Sequence, residues 1–141
     1  TGNTGTAIYT DYGWIVTLTA TASVGSTFAG WSGEGCTGTG TCIVTMTAAR
    51  NVNAIFTVYT YPLTITKTGK GTGTVTVDKG TLSWAGKTGT AIYNYNTQVI
   101  ATATADPGST FDGWTNCEIV NGNQCTISMT AARAVSVTFN K

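Results

Sequence analysis

Apolar and polar residues alternate along most of this chain with a period of two. In residues 16–22, "VTLTATA", Val16, Leu18 and Ala20 fall on one face while Thr17, Thr19 and Thr21 fall on the other. The alternation returns with Val99, Ala101 and Ala103, with Val44 and Met46 and their counterparts Ile127 and Met129, and with Val52, Ala54 and Phe56 and their counterparts Val135, Val137 and Phe139. Successive side chains of a strand point to opposite sides, so this period predicts strands with one buried and one solvated face. Leu63 and Ile65 alternate with Thr64 and Thr66, then Val75 and Val77 with Thr74 and Thr76. With Gly69, Gly71 and Gly73 between them, these two runs read as a β-hairpin. No segment carries an apolar stripe at helical spacing, and the pattern predicts an all-β chain.

The strands recur because the sequence recurs. "TGTAIY" occupies residues 4–9 and 88–93, "GSTFAGW" at 25–31 returns as "GSTFDGW" at 108–114, and "MTAAR" at 46–50 is repeated at 129–133, with offsets of 84, 83 and 83 residues. A slip of one residue is what a surface turn tolerates and a core strand does not. The chain therefore divides into two tandem units, residues 1–60 and 61–141, each a small antiparallel β module. In the second unit TGTAIY follows "YPLTITKTGKGTGTVTVDKGTLSWAGK", whereas in the first it follows only "TGN". On this reading the first unit starts about two strands late. A sheet short of strands has an unpaired edge and an incompletely covered core, here the face of Val16, Leu18 and Phe56, and such an edge is a template for pairing with another chain.

Composition narrows the setting. Only 9% of the 141 residues are charged, the net charge is +1 and no run of like charge occurs, which argues against a nucleic-acid-binding surface. Polarity comes instead from 32 Thr, a residue suited to the solvated face of a sheet, and 18 Gly supply turns. No apolar stretch approaches the roughly 18 to 20 residues of a membrane-spanning helix. No charged-then-apolar segment opens the chain, so Thr1 reads as a mature or trimmed N-terminus. Four Cys without a single His favour disulfides over mixed zinc ligation, and so a secreted, extracellular or cell-surface location.

The run "GSTFAGWSGEGCTGTGTCIVTMTAARNVNAIF" resembles the bacterial divergent InlB B-repeat family, whose members carry GSTF-x-GWSG, two Cys around a Gly-Thr-Gly-Thr loop, a strand and a final V-x-A-x-F. The resemblance extends over both units; the second departs from it in having "GWTNCEIVNGNQC". It implies secreted or surface-attached bacterial proteins with tandem copies, used as stalks, spacers or adhesive modules, and brings no catalytic residues. It also implies a β-grasp-like fold, whereas the periodicity supplies no helix for the grasp, so a sandwich-like arrangement stands beside it.

Within the units the cysteines pair most simply as Cys36 with Cys42 and Cys117 with Cys125, with five and seven residues between them, because the flanking motifs stay in register and each pair closes its own loop. The alternative is a shared four-thiolate zinc site, but a zinc knuckle uses spacings of about two to four residues. Trp31 and Trp114 each follow a Gly. Either that Gly marks a bulge and the Trp caps the core, or strict alternation puts Phe28 and Phe111 inward and leaves each Trp as a platform for sugars or a partner. Trp14, Trp84, Tyr59 and Tyr61 lie outside the repeated motifs and are the better interface residues.

Other chemistry is thin. Residues 80–88, "GTLSWAGKT", have five residues where a phosphate-binding loop has four, and read as a turn. The two "KTG" triplets lack the Ser-x-x-Lys that would accompany them in a penicillin-binding site. With no His, triad catalysis has no obvious base, and the six acidic residues are scattered. Arg50 and Arg133 are expected to cap turns by bonding carbonyls. No metal and no cofactor are called for, and the chain reads as a non-enzyme. Two functions follow. One is a structural subunit of an extracellular stalk or filament, self-associating by strand addition, with a terminal strand or the linker near residues 57–63 completing the next chain's sheet. The other is an adhesin-type module that binds a glycan or a host protein.

Overall fold

A computed structural model describes residues 3–141; Thr1, read from the sequence as a mature terminus, lies outside them. The described residues form thirteen strands and no helix, and the chain separates into two compact units at residues 57 and 58.

The second unit contains β5 (Thr60–Thr68), β6 (Gly73–Val77), β7 (Ser83–Ala85), β8 (Thr88–Asn94), β9 (Gln98–Ala105), β10 (Thr110–Thr115), β11 (Ile119–Asn121), β12 (Gln124–Ser128) and β13 (Arg133–Asn140). Two sheets form a sandwich, one in the order β10-β13-β5-β8-β7 and the other β11-β12-β9-β6. Leu63 and Ile65 on β5, Val135, Val137 and Phe139 on β13, and Val99, Ala101, Ile127 and Val75 on the facing sheet share one buried core. These are the apolar members of the alternating runs, each turned inward by the pleat while its Thr neighbours face out. Most ladders are antiparallel, but β13 runs parallel to β5, with Arg133 opposite Leu63 and Val135 opposite Ile65.

That topology corrects the hairpin expected from residues 63–66 and 74–77. Strand β5 pairs with β13 and β8, and β6 pairs with β9 in the other sheet. The glycine-rich stretch between them is a crossover from one sheet to the other, not a tight turn. It passes so close over the end of β13 that a Cβ on Gly69 would lie 2.1 Å from the Phe139 carbonyl oxygen, and one on Gly73 2.4 Å from the Phe139 ring. The Gly71 N–H donates to that same Phe139 carbonyl at 2.8 Å. Alternation reports that both runs are half-buried but not which sheet each joins.

The first unit contains β1 (Trp14–Leu18), β2 (Ser26–Ser32), β3 (Cys42–Met46) and β4 (Asn53–Val58), paired as β1-β3 and β2-β4. These pairs repeat β9-β12 and β10-β13 of the second unit. The first TGTAIY, whose copy is strand β8, forms no strand. A small core gathers Trp31, Cys36, Cys42 and Val44, with Leu18, Phe28, Met46 and Val52 half-buried against it.

Both disulfides close within their units, Cys36 to Cys42 and Cys117 to Cys125. The tryptophans take the bulge arrangement. The ladder of β10 and β13 shifts register between Phe111 and Gly113, and Gly30 and Gly113 adopt φ of 139° and 151°, where a side chain would be strained. Each Trp then turns onto the core, with Trp31 Nε1 donating to the Gly40 carbonyl at 2.7 Å and Trp114 Nε1 to that of Asn123 at 2.9 Å. The stretch 80–88 is more than a turn, since its middle forms β7 along β8.

Candidate functional site

A feature that separates the two units is an uncovered face in the first. In the second unit β13 lies between β10 and β5, bonded on both sides. In the first, β4 pairs with β2 only, and among the described residues nothing pairs with its other edge. Burial follows the pairing. Val135, Val137 and Phe139 are 3%, 0% and 1% exposed, whereas Phe56, the counterpart of Phe139, is 45% exposed, Ala54 is exposed and Val52 is half-buried. On the facing layer Val16, Leu18 and Met46 are half-buried where Val99, Ala101 and Met129 are sealed.

Above this face lies a groove of about 310 Å³. Val16, Leu18, Val44 and Met46 contribute its apolar lining from β1 and β3. Gly5, Ala7 and Tyr9 of the first TGTAIY line it too, and so do Arg50 and Val52 at the approach to β4. The groove is therefore bounded by β4 and by the segment whose copy stands one strand away from β13 in the second unit.

Of the residues singled out from the sequence, Val16, Leu18 and Phe56 sit in this unit. Phe56 meets Phe28 with ring centroids 5.4 Å apart, and Phe28 meets Trp31 edge-on at 5.2 Å. Trp14 is half-exposed at the start of β1, its ring 5.9 Å from that of Tyr9. The others belong to the second unit. Trp84 lies over Gly89, where an added Cβ would come within 2.9 Å of the indole, and the Lys67 ammonium stands 4.5 Å from the indole centroid. Tyr61 packs half-buried against the core, and Tyr59 is exposed, its carbonyl accepting the Tyr95 N–H at 2.7 Å. Gly5 and Ala7 were not singled out, and Arg50 and Val52 were read only as a turn cap and a strand position; the signal was the repeat of TGTAIY without the strand that lies between its copy and β13.

Part of the linker near residues 57–63, expected to be a possible strand donor, is already paired within the second unit. Residues 60–63 belong to β5, which is bonded to β8 from Thr60 onward and to β13 from Leu63 onward. The C-terminal strand β13 is likewise paired on both edges. Residues committed to two ladders in their own sheet cannot pair elsewhere without breaking it.

The charged groups have structural partners. Arg50 donates to the Thr45 carbonyl and Arg133 to that of Ser128, the turn-capping role expected of both. Each also pairs with an acid that the repeat pattern did not flag, Arg50 with Glu34 at 2.8 Å and Arg133 with Glu118. The Ser128 hydroxyl donates to Glu118 at 2.7 Å and, with a lesser contribution from Arg133, holds that carboxyl below its ordinary value against the opposing effect of desolvation. At Asp78 desolvation pushes upward, but the Ile100 N–H at 2.7 Å and Lys79 outweigh it and the carboxyl is lowered. Burial, then the charge of Asp78, raises the Tyr93 phenol, which donates to the Lys79 carbonyl at 2.7 Å. Among the described residues no cluster of three or more His, Cys, Asp or Glu side chains could hold a metal ion, and no helix is long and apolar enough to cross a membrane.

The family model for the divergent InlB B-repeat domain matches residues 1–60 and again residues 61–141. No curated protein and no solved structure matches the chain.

Proposed function

The chain belongs to the divergent InlB B-repeat family, with two copies in tandem, and from that premise we propose that it is a non-catalytic structural module of a secreted or surface-attached bacterial protein, a stalk or filament subunit whose first unit is completed by a β-strand from a neighbouring molecule. Family membership and two local disulfides support an extracellular setting, where thiols oxidise and small sheets gain from cross-links. The observation that carries the reading is the contrast between β4, exposed along its length, and β13, buried between two neighbours.

An apolar strand with a free edge is a liability that monomeric β proteins blunt with charge, proline or a covering loop. Residues 53–58 carry neither a charge nor a proline. Strand addition to such an edge gives main-chain hydrogen bonds and side-chain pockets together, and head-to-tail repetition of a contact that does not close generates a filament.

Imaging the purified full-length protein, together with its mass in solution, tests the proposal. Linear assemblies that dissociate under mild denaturant are expected. A stable monomer at high concentration, with β4 as well protected as β13, would overturn it. A monomer that instead retains a glycan, and loses it on Trp14→Ala or Trp84→Ala, would establish the adhesin-type function in its place.

A further inference from the structure

The second unit shows which strand fits the open face of the first. There β5 lies between β8 and β13, antiparallel to one and parallel to the other. Leu63 stands opposite Ala91 and Arg133, and Ile65 opposite Gly89 and Val135, with both side chains fully buried. Shifted by the repeat offsets of 84 and 83 residues, these four neighbours become Ala7, Arg50, Gly5 and Val52. All four line the 310 Å³ groove of the first unit. Tyr93, opposite Tyr61, becomes Tyr9, which lines it as well.

We infer that this groove is a slot for a single β-strand with the side-chain pattern of β5, inserted parallel to β4 and antiparallel to residues 4–9, with two branched aliphatic side chains two residues apart directed at Val16, Leu18, Val44 and Met46. The first places its residue between Ala7 and Arg50, the second between Gly5 and Val52. An apolar cavity of about 150 Å³ accepts a benzene ring, so the groove has room for two such side chains. Insertion supplies the ladder that the first TGTAIY lacks, and that segment then becomes the counterpart of β8.

The occupant is a strand of the Leu-x-Ile chemistry of β5 that is not already paired in a sheet of its own, since β5 itself is bonded on both edges within its unit. Only its delivery from a neighbouring molecule rests on the assembly reading; the register and chemistry of the slot rest on the repeat alone. Charge does not select the strand, since the aliphatic face of the groove carries no ionisable group, and the one charged residue at its rim, Arg50, is paired with Glu34. Selectivity comes from the Leu-x-Ile spacing.

The test is titration of the full chain with a synthetic peptide of residues 60–68, TYPLTITKT, followed residue by residue by amide hydrogen exchange. One equivalent is expected to bind and to slow exchange at least tenfold at residues 4–9 and 50–55, leaving β13 unchanged. A peptide carrying Leu63→Asp and Ile65→Asp is expected not to bind. Failure of the native peptide to bind, equal binding of the aspartate peptide, or protection confined to the second unit would each overturn the inference. Peptide binding to a chain that never assembles leaves the slot standing and removes the filament; assembly of a chain that ignores the peptide does the reverse.

Discussion

Phe56 and Phe139 hold the same position in the two repeats, yet Phe139 is 1% exposed beneath the crossover at Gly69–Gly73 and Phe56 is 45% exposed. One residue type in one local motif thus has two energetic roles, set by whether a strand and its connection cover it. Phe139→Ala should cost about 3 to 5 kcal/mol, the range for truncating a sealed aromatic. Phe56→Ala should cost about 1 kcal/mol or less in the isolated chain, because much of its ring already meets water. Denaturant unfolding followed separately in each unit checks both values, and the first unit should unfold at the lower midpoint.

The bulge glycines and the tryptophans behind them form a second shared device. Trp114→Phe keeps the apolar ring but leaves the Asn123 carbonyl without the indole N–H, and should destabilise the second unit by about 1 to 2 kcal/mol. Trp31→Phe should do the same to the first unit through Gly40. Thermal melts of the two variants are the measurement, and loss of stability in the opposite unit would count against the assignment.

Much of this was legible in the sequence. Alternation located the strands that share the core, the offsets divided the chain in two, and Cys spacing gave the pairings, because strand period, repeat register and loop closure are all local properties. The sheet partners were not legible. Leu63 and Val75 alternate alike, and only the close approach of Gly69, Gly71 and Gly73 to β13, a tertiary contact, sends their strands to different sheets. The parallel pairing of β5 with β13 was hidden for the same reason, its partners lying some 70 residues apart in sequence. The acids paired with Arg50 and Arg133 escaped notice because Glu34 precedes its neighbouring Cys while Glu118 follows its own. The groove itself was implied by the unmatched TGTAIY, but its lining residues needed coordinates.

Disulfide reduction should separate the units further. Each bridge closes a loop of fewer than ten residues and contributes about 2 to 3 kcal/mol by the loop-entropy estimate. The first unit has the smaller buried core, so reductant should unfold it while the second remains folded. Circular dichroism with and without reductant, compared with the double Cys36→Ser, Cys42→Ser variant, reads this out.

Acid should weaken the second unit through Glu118 and Asp78. Both carboxyls are lowered on folding, from ordinary values of 4.5 and 3.8. The unfolded chain therefore binds protons more readily, so the stabilisation is complete above those ordinary values and is lost as pH falls through the folded ones. Glu118→Gln should flatten the stability profile below about pH 5, and Asp78→Asn should flatten it at lower pH. Unfolding midpoints measured from pH 7 to pH 2 check this; an unchanged slope in both variants would contradict it.

The free edge of β4 is what leaves the first unit open. Amide exchange measured residue by residue on the full chain alone should find alternate amides of Asn53–Val58, those turned away from β2, exchanging at least ~100-fold faster than the amides of Arg133–Asn140. Equally slow exchange along both strands would show that the first unit is already closed, and would contradict the open slot on which its proposed use depends.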